Sequence, residues 1–208
     1  MKLLRTHRAP VGVTLVLLLV CGLFYPIVLT GLSRLFFPSQ ANGSLVYVGE
    51  QAVGAQYVGQ DFTDARFMQC RPSAYRYNTY TAEQKASGEY AGVASGSNNY
   101  APSNPALTER VQADIDAFLA THPDLTVEEI PIDLMTASGS GLDPHISPAS
   151  AAIQIPQLAK NTGLTETELQ QIVADNTEHK FLGVFGEETV NVLGVNLDIA
   201  AAIGLTEK

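Results

Sequence analysis

A single N-terminal transmembrane helix followed by an α+β extracytoplasmic domain is the fold class this sequence predicts, on three observations. Ala9 to Ser33 form 25 consecutive uncharged positions. Beyond them, helical and alternating apolar periods mix without a regular βαβ repeat. All 21 acidic residues lie after residue 49, whereas Lys2, Arg5, Arg8 and Arg34 flank the apolar run.

At about 1.5 Å per residue the uncharged run reaches roughly 37 Å, enough to cross a hydrocarbon core of ~30 Å with some tilt. The chain therefore divides into a short N-terminus at 1–10, a span at 11–33 and a domain at 34–208. A cleaved signal peptide is disfavoured, because its apolar core is usually about 7–15 residues. Three cationic residues precede the span and one follows it, so the positive-inside rule puts the N-terminus in the cytoplasm and the domain on the far side of the cell (inner) membrane. Pro26 lacks an amide hydrogen and should kink the helix or mark a packing site. Gly22 and Gly31 offer close approach to neighbouring helices. Cys21 is a small apolar residue in lipid.

After the span, 35–38 form an apolar aromatic anchor and 40–44 a turn, with Asn42 in it. Short strands are expected at 45–48 and 52–58. The stretch from Phe67 to Tyr100 holds Tyr75, Tyr77, Tyr80, Tyr90 and Tyr100 and few aliphatic residues, and reads as a long irregular excursion. Asn104 as N-cap and Pro105 behind it open a helix with Leu107, Val111, Ile115 and Phe118 on one face, ended by His122-Pro123. Alternation at 130–135 predicts a strand, with Pro131 at a sheet edge. A Gly/Ser loop at 138–144 leads to a helix capped by Ser147, in which Pro156 should produce a kink. Thr165 and Glu168 form a capping box stapled by Leu164 and Leu169, starting a helix that reaches about Thr177. A strand at 189–193 and a short helix at 197–203 complete the chain.

The chemistry-bearing residues are sparse. Residues 35–208 carry eight cationic and 21 acidic residues, a formal charge of -13, which excludes a phosphate-backbone partner: no nucleic acid. The four His are scattered and no CxxC or HExxH occurs, so a zinc enzyme is not expected. Ser138, Ser140, Asp143 and His145 could suggest a hydrolase, but without a GxSxG elbow they read better as a turn whose side chains bond backbone amides. Ser95, Gly96, Ser97 and Asn98 could form an amide nest for an anion. Cys70 reads as a buried small residue. The acidic pairs Glu128-Glu129 and Glu187-Glu188 read as solvated.

Several segments occur in order along the chain: 40–45 (Gln-Ala-Asn-Gly-Ser-Leu), 58–62 (Val-Gly-Gln-Asp-Phe), 71–74 (Arg-Pro-Ser-Ala), 95–98, 103–105, 136–143 (Thr-Ala-Ser-Gly-Ser-Gly-Leu-Asp), 146–148 and 154–156 (Gln-Ile-Pro). Together with the N-in span they resemble the C subunit of the Kdp-type potassium-transporting ATPase. The chain departs from that pattern at Cys70, where Gly is usual, at Ile153, where an aromatic is usual, and at Gln157, where Arg is usual. The resemblance implies a non-catalytic subunit of an ATP-driven potassium uptake complex. It implies three protein partners besides membrane lipid: a potassium-translocating channel-like subunit, a P-type ATPase subunit and a small stabilising membrane subunit. It also implies a catalytic-chaperone role that raises the ATP affinity of the ATPase subunit, with ATP as cofactor only through that subunit. Gly22, Pro26, Gly31, Asn42, Arg71, Ser140 and Asp143 are the partner-contact candidates. The competing readings are a membrane-anchored periplasmic hydrolase using Ser140 and His145, and a solute-binding module.

Overall fold

The computed structural model describes residues 7–88 and 92–206, arranged as two units divided between Leu45 and Val46. Lys2, Arg5 and Tyr90 of the sequence reading lie outside the described residues.

The first unit is one long apolar helix and a short one. Helices α1 (Arg8–Leu19) and α2 (Tyr25–Phe36) join through a π-helical turn at Val20–Phe24, giving a 29-residue candidate span, Arg8–Phe36, with no buried residue. The apolar helix thus extends three residues beyond each end of the 11–33 segment. The device around Pro26 also differs from a simple kink. Pro26 cannot donate to the carbonyl four residues earlier, and the chain widens to a π turn just before it, with the Tyr25 amide reaching back to the Val20 carbonyl. Helix α3 (Pro38–Ala41) follows, and Asn42 closes it by donating its side-chain amide to the Pro38 carbonyl at 2.7 Å. The turn expected there occupies only Asn42 and Gly43.

A two-stranded sheet, β1 (Leu45–Val48) and β2 (Gln51–Ala55), starts at the last residue of the first unit and otherwise belongs to the second. The second strand stops three residues short of expectation, because the chain turns at Gln56-Tyr57 and Val58 bridges back to Ala55. Among the described residues of the excursion from Phe67 to Tyr100, a 3-10 turn at Arg76–Asn78 and α4 (Ala82–Ala86), capped by Thr81 and Gln84, are the only helical elements. Helix α5 (Pro105–Thr121) starts at Asn104, whose side chain accepts from the Ala106 amide, and buries Phe118.

The strand expected at 130–135 is absent. Thr126 and Glu129 make a capping box that winds Val127–Glu129 into a 3-10 turn, and a second follows at Ile132–Met135. Burial explains why alternation misled: the neighbours Leu134 and Met135 are both buried while Ile132 is 79% exposed, a pattern no strand face produces. Past Ser147, the single kinked helix becomes two, α6 (Pro148–Ala152) and α7 (Ile155–Thr162). Pro156 sits in the first turn of α7, where its missing amide costs nothing. Helix α8 (Glu166–Asp175) has the expected cap, with Thr165 accepting from Glu168, but ends at Asp175 because Thr177 enters a strand.

A three-stranded antiparallel sheet in the order β3-β5-β4 was not foreseen except for its centre. Its members are β3 (His145–Ile146), β4 (Thr177–Glu178) and β5 (Thr189–Asn191), with Ile146 and Thr177 both opposite Val190. The strand stops at Asn191 because that side chain caps the next helix through the Gly194 amide at 2.9 Å. Helix α9 (Val192–Ala202) therefore begins five residues earlier than the sequence suggested and buries Val192, Leu193, Val195, Asn196, Ile199 and Ala200. The core lies where α9, the central strand, α7 and α8 meet, with Phe118, Leu134, Ile146, Leu169 and Val190 around Met68.

Candidate functional site

Met68 is buried and Gln69 half-buried, both without a strand partner, so their backbone groups need another source of hydrogen bonds. Two buried amide side chains supply them. Asn196 Oδ1 accepts from the Met68 amide at 2.7 Å and its Nδ2 donates to the Met68 carbonyl at 2.9 Å. Gln154 does the same for Gln69, at 2.8 and 3.3 Å. These pairs fix the strap that carries Arg71.

Arg71 and Asp143 form the centre of the site. The guanidinium donates to Asp143 Oδ2 at 2.9 Å and to the Thr136 carbonyl at 3.2 Å, with both charged side chains about three-quarters buried. The other carboxylate oxygen accepts from the His145 amide at 3.0 Å, so one side chain joins the strap to the loop before β3. Tyr77 closes the knot, its hydroxyl donating to the Arg71 carbonyl at 2.7 Å and reaching the Asp143 carbonyl at 3.3 Å. Gly59 makes room for the Tyr77 ring, which a Cβ there would meet at 2.4 Å.

Two further loops are bound to this centre. Ser73 Oγ donates to the Gly141 carbonyl at 2.6 Å and accepts from the amides of Tyr75 and Tyr77. Gly141 holds φ 65, and a Cβ on it would lie 2.5 Å from the Gly96 carbonyl oxygen, so this contact requires glycine. The Gly96 amide and the Ser95 hydroxyl both donate to the Ser140 carbonyl, at 2.7 and 3.0 Å. Arg76, Tyr77 and Asn78 all take positive φ, 47 to 57°, an uncommon run for non-glycine residues. Asn78 stabilises it with two side-chain hydrogen bonds to the Ala94 backbone.

The candidate nucleophile set is spent within its own turn. Ser138 Oγ accepts from the Gly141 amide and Ser140 Oγ from the Leu142 amide, while His145 Nδ1 lies 3.7 Å from Asp143. Among the described residues no hydrogen bond joins Ser140 to His145. The Gly96 amide and the Ser95 hydroxyl are given to the Ser140 carbonyl and the Ser97 hydroxyl to Asn99, so of the amide nest at 95–98 the Gly96 donor is committed within the protein. Burial pushes the Cys70 thiol up to about 12, which fits an inert residue. No group of three or more His, Cys, Asp or Glu that could hold a metal ion occurs among the described residues. Two cavities flank the knot, one of about 430 Å³ beside Arg71, Arg76 and Tyr77 and one of about 500 Å³ beside Ser97, Asn98 and Arg110.

The structure thus brings together Arg71, Asp143, Ser140 and the 95–98 loop. Gly22, Pro26, Gly31 and Asn42 belong to the other unit, where no atom lies within 4 Å of a Cβ built on Gly22 or Gly31. Sequence reasoning missed the roles of Tyr77, Gly59, Gln154 and Asn196. Only the segments quoted for the family resemblance pointed to them, through Gly59 and Gln154.

Fold and site define a class: an α+β domain organised around a salt-bridged loop knot, on a chain with one helix long and apolar enough to span a membrane. The chain belongs to the family described as KdpC, the c chain of the K+-transporting ATPase, which it matches over residues 7–201. A potassium-transporting ATPase KdpC subunit from Clostridium kluyveri is 64% identical over 201 residues, covering 97% of this chain and 96% of that one. The corresponding subunit from Clostridioides difficile is 52% identical, covering 97% and 100%.

Proposed function

We propose that the chain is the membrane-anchored, non-catalytic subunit of an ATP-driven potassium uptake complex. On this reading it assembles with a potassium-translocating channel-like subunit, a P-type ATPase subunit and a small stabilising membrane subunit. It acts as a catalytic chaperone, raising the ATP affinity of the ATPase subunit in a ternary complex with ATP. The observation that carries the reading is the loop knot itself. Segments 58–62, 71–74 and 95–98 all bond the 136–143 loop: Arg71 pairs with Asp143, Gly59 donates to Leu142, Ser73 to Gly141 and Gly96 to Ser140. Such a hub presents a fixed surface while the Ser138 and Ser140 hydroxyls stay engaged with amides of their own turn, which favours assembly over hydrolysis.

The charge pattern around the span favours a cytoplasmic N-terminus and an extracytoplasmic domain. ATP is not available on that side, so an effect on ATP affinity travels through the span and the assembled complex. Purified complex with and without this chain should differ in apparent ATP affinity, tighter with the chain present. Equal affinity would refute the chaperone role while leaving assembly intact. Orientation has its own test at Val93, which is 82% exposed. Val93→Cys should be labelled in intact cells by a membrane-impermeant thiol reagent, and labelling only after lysis would reverse the topology.

A further inference from the structure

Between β4 and β5 the chain forms a tight hairpin whose tip is wholly apolar. Phe181, Leu182, Val184 and Phe185 are 71%, 76%, 74% and 64% exposed, and none belongs to the core or packs against it. We infer that this hairpin is a docking plug that inserts into an apolar cleft with a cationic rim on another protein subunit of the complex; this rests on the subunit reading above.

Three features of the tip support that occupant. Most of its amides are already paired: those of Phe181, Gly183, Val184 and Phe185 donate to carbonyls within the hairpin, at 2.8 to 3.2 Å. Its shape is fixed at a conformational cost, since Leu182 and Gly183 hold φ 53 and 73 at the centre of the turn. Glycine tolerates that geometry and a leucine disfavours it, whereas Asn or Asp is the usual residue. A fluid bilayer rewards apolar area of any shape, so a turn held in one strained form fits a shaped cleft better. The rim decides against lipid as well. His179 pairs with Glu188 at 2.9 Å across the hairpin base, and Glu178 and Glu187 flank it, leaving Lys180 outnumbered. Carboxylates beside the tip oppose an anionic lipid surface and complement a cationic protein rim.

The test uses the full chain in the assembled complex. A photo-crosslinking phenylalanine analogue at position 182 should give an adduct with another subunit polypeptide. Leu182→Asn combined with Phe185→Ser should cut the yield of complex at least fivefold while the melting temperature of the chain holds, because Asn suits positive φ. Adducts with lipid alone, no adduct, or a variant assembling in wild-type yield would overturn the assignment. A wild-type chain that co-purifies with no other subunit would instead overturn the subunit reading on which it rests.

Discussion

Asn196 shows how much of this domain depends on single polar side chains. It is 3% exposed and serves both backbone groups of Met68, which is fully buried. Replacing it leaves a buried amide and a buried carbonyl unsatisfied, each costing about 1–3 kcal/mol. Asn196→Leu should therefore destabilise the domain by several kcal/mol, read as a lower urea midpoint, whereas the same change at exposed Asn98 should be near neutral. His122 gives a pH signature. Burial against Phe118, whose ring stacks on it with centroids 4.1 Å apart, lowers its pKa below 6.5, against the opposing hydrogen bond to the Phe118 carbonyl. A histidine with a depressed folded-state pKa binds fewer protons folded than unfolded, so its contribution is present above 6.5 and falls as pH drops through that value. Stability measured by urea unfolding should decline from about pH 8 to about pH 5, and His122→Gln should flatten that part of the curve. An unaltered slope in the variant would place the pH dependence elsewhere.

Elements were legible where a local signal sets them. The caps at Asn104, Ser147 and Thr165 work through side-chain hydrogen bonds to amides two or three residues away, and all three helices start where those residues stand. Elements set by distant partners were not legible. The two-residue strands at His145 and Thr177 exist because each pairs with β5, and nothing within two residues can announce that. The run Ile130 to Met135 alternates in polarity yet winds into 3-10 turns, since Glu129 caps the turn preceding it and Leu134 and Met135 share the core. The site followed the same rule. Arg71 and Asp143 were named from their motifs, but Tyr77 joins them through a positive-φ turn that no spacing reveals. In the span, the π turn before Pro26 exposes a carbonyl arrangement that a regular helix lacks, and Gly22 lies within it. Exchange of 11–33 for an unrelated apolar span of equal length should leave the domain folded and reduce pump activity. Full activity in that exchange would make the span an anchor alone.

At the scale of the whole molecule the domain's formal charge of -13 invites the idea that it gathers cations for the pump. Magnitudes limit that role. In water a single charge about 20 Å from a cation's path contributes ~0.2 kcal/mol, and a Debye length of about 8 Å at ~0.15 M salt leaves roughly a tenth of it. At about 0.01 M salt the Debye length is ~30 Å and roughly half survives. Glu187 and Glu188 are poor probes, since Glu188 pairs with His179 beside the apolar hairpin. Glu109, Glu128 and Glu166 are exposed and sit on other elements. Neutralising those three together should raise the apparent potassium constant by less than about twofold at ~0.01 M salt, because three half-screened charges amount to ~0.3 kcal/mol. At ~0.15 M the constant should be unchanged, and the acids then serve mainly to keep the domain soluble. A change that persists at the higher salt could not come from the long-range field. It would require a carboxylate in direct contact with the cation or with the subunit that conducts it.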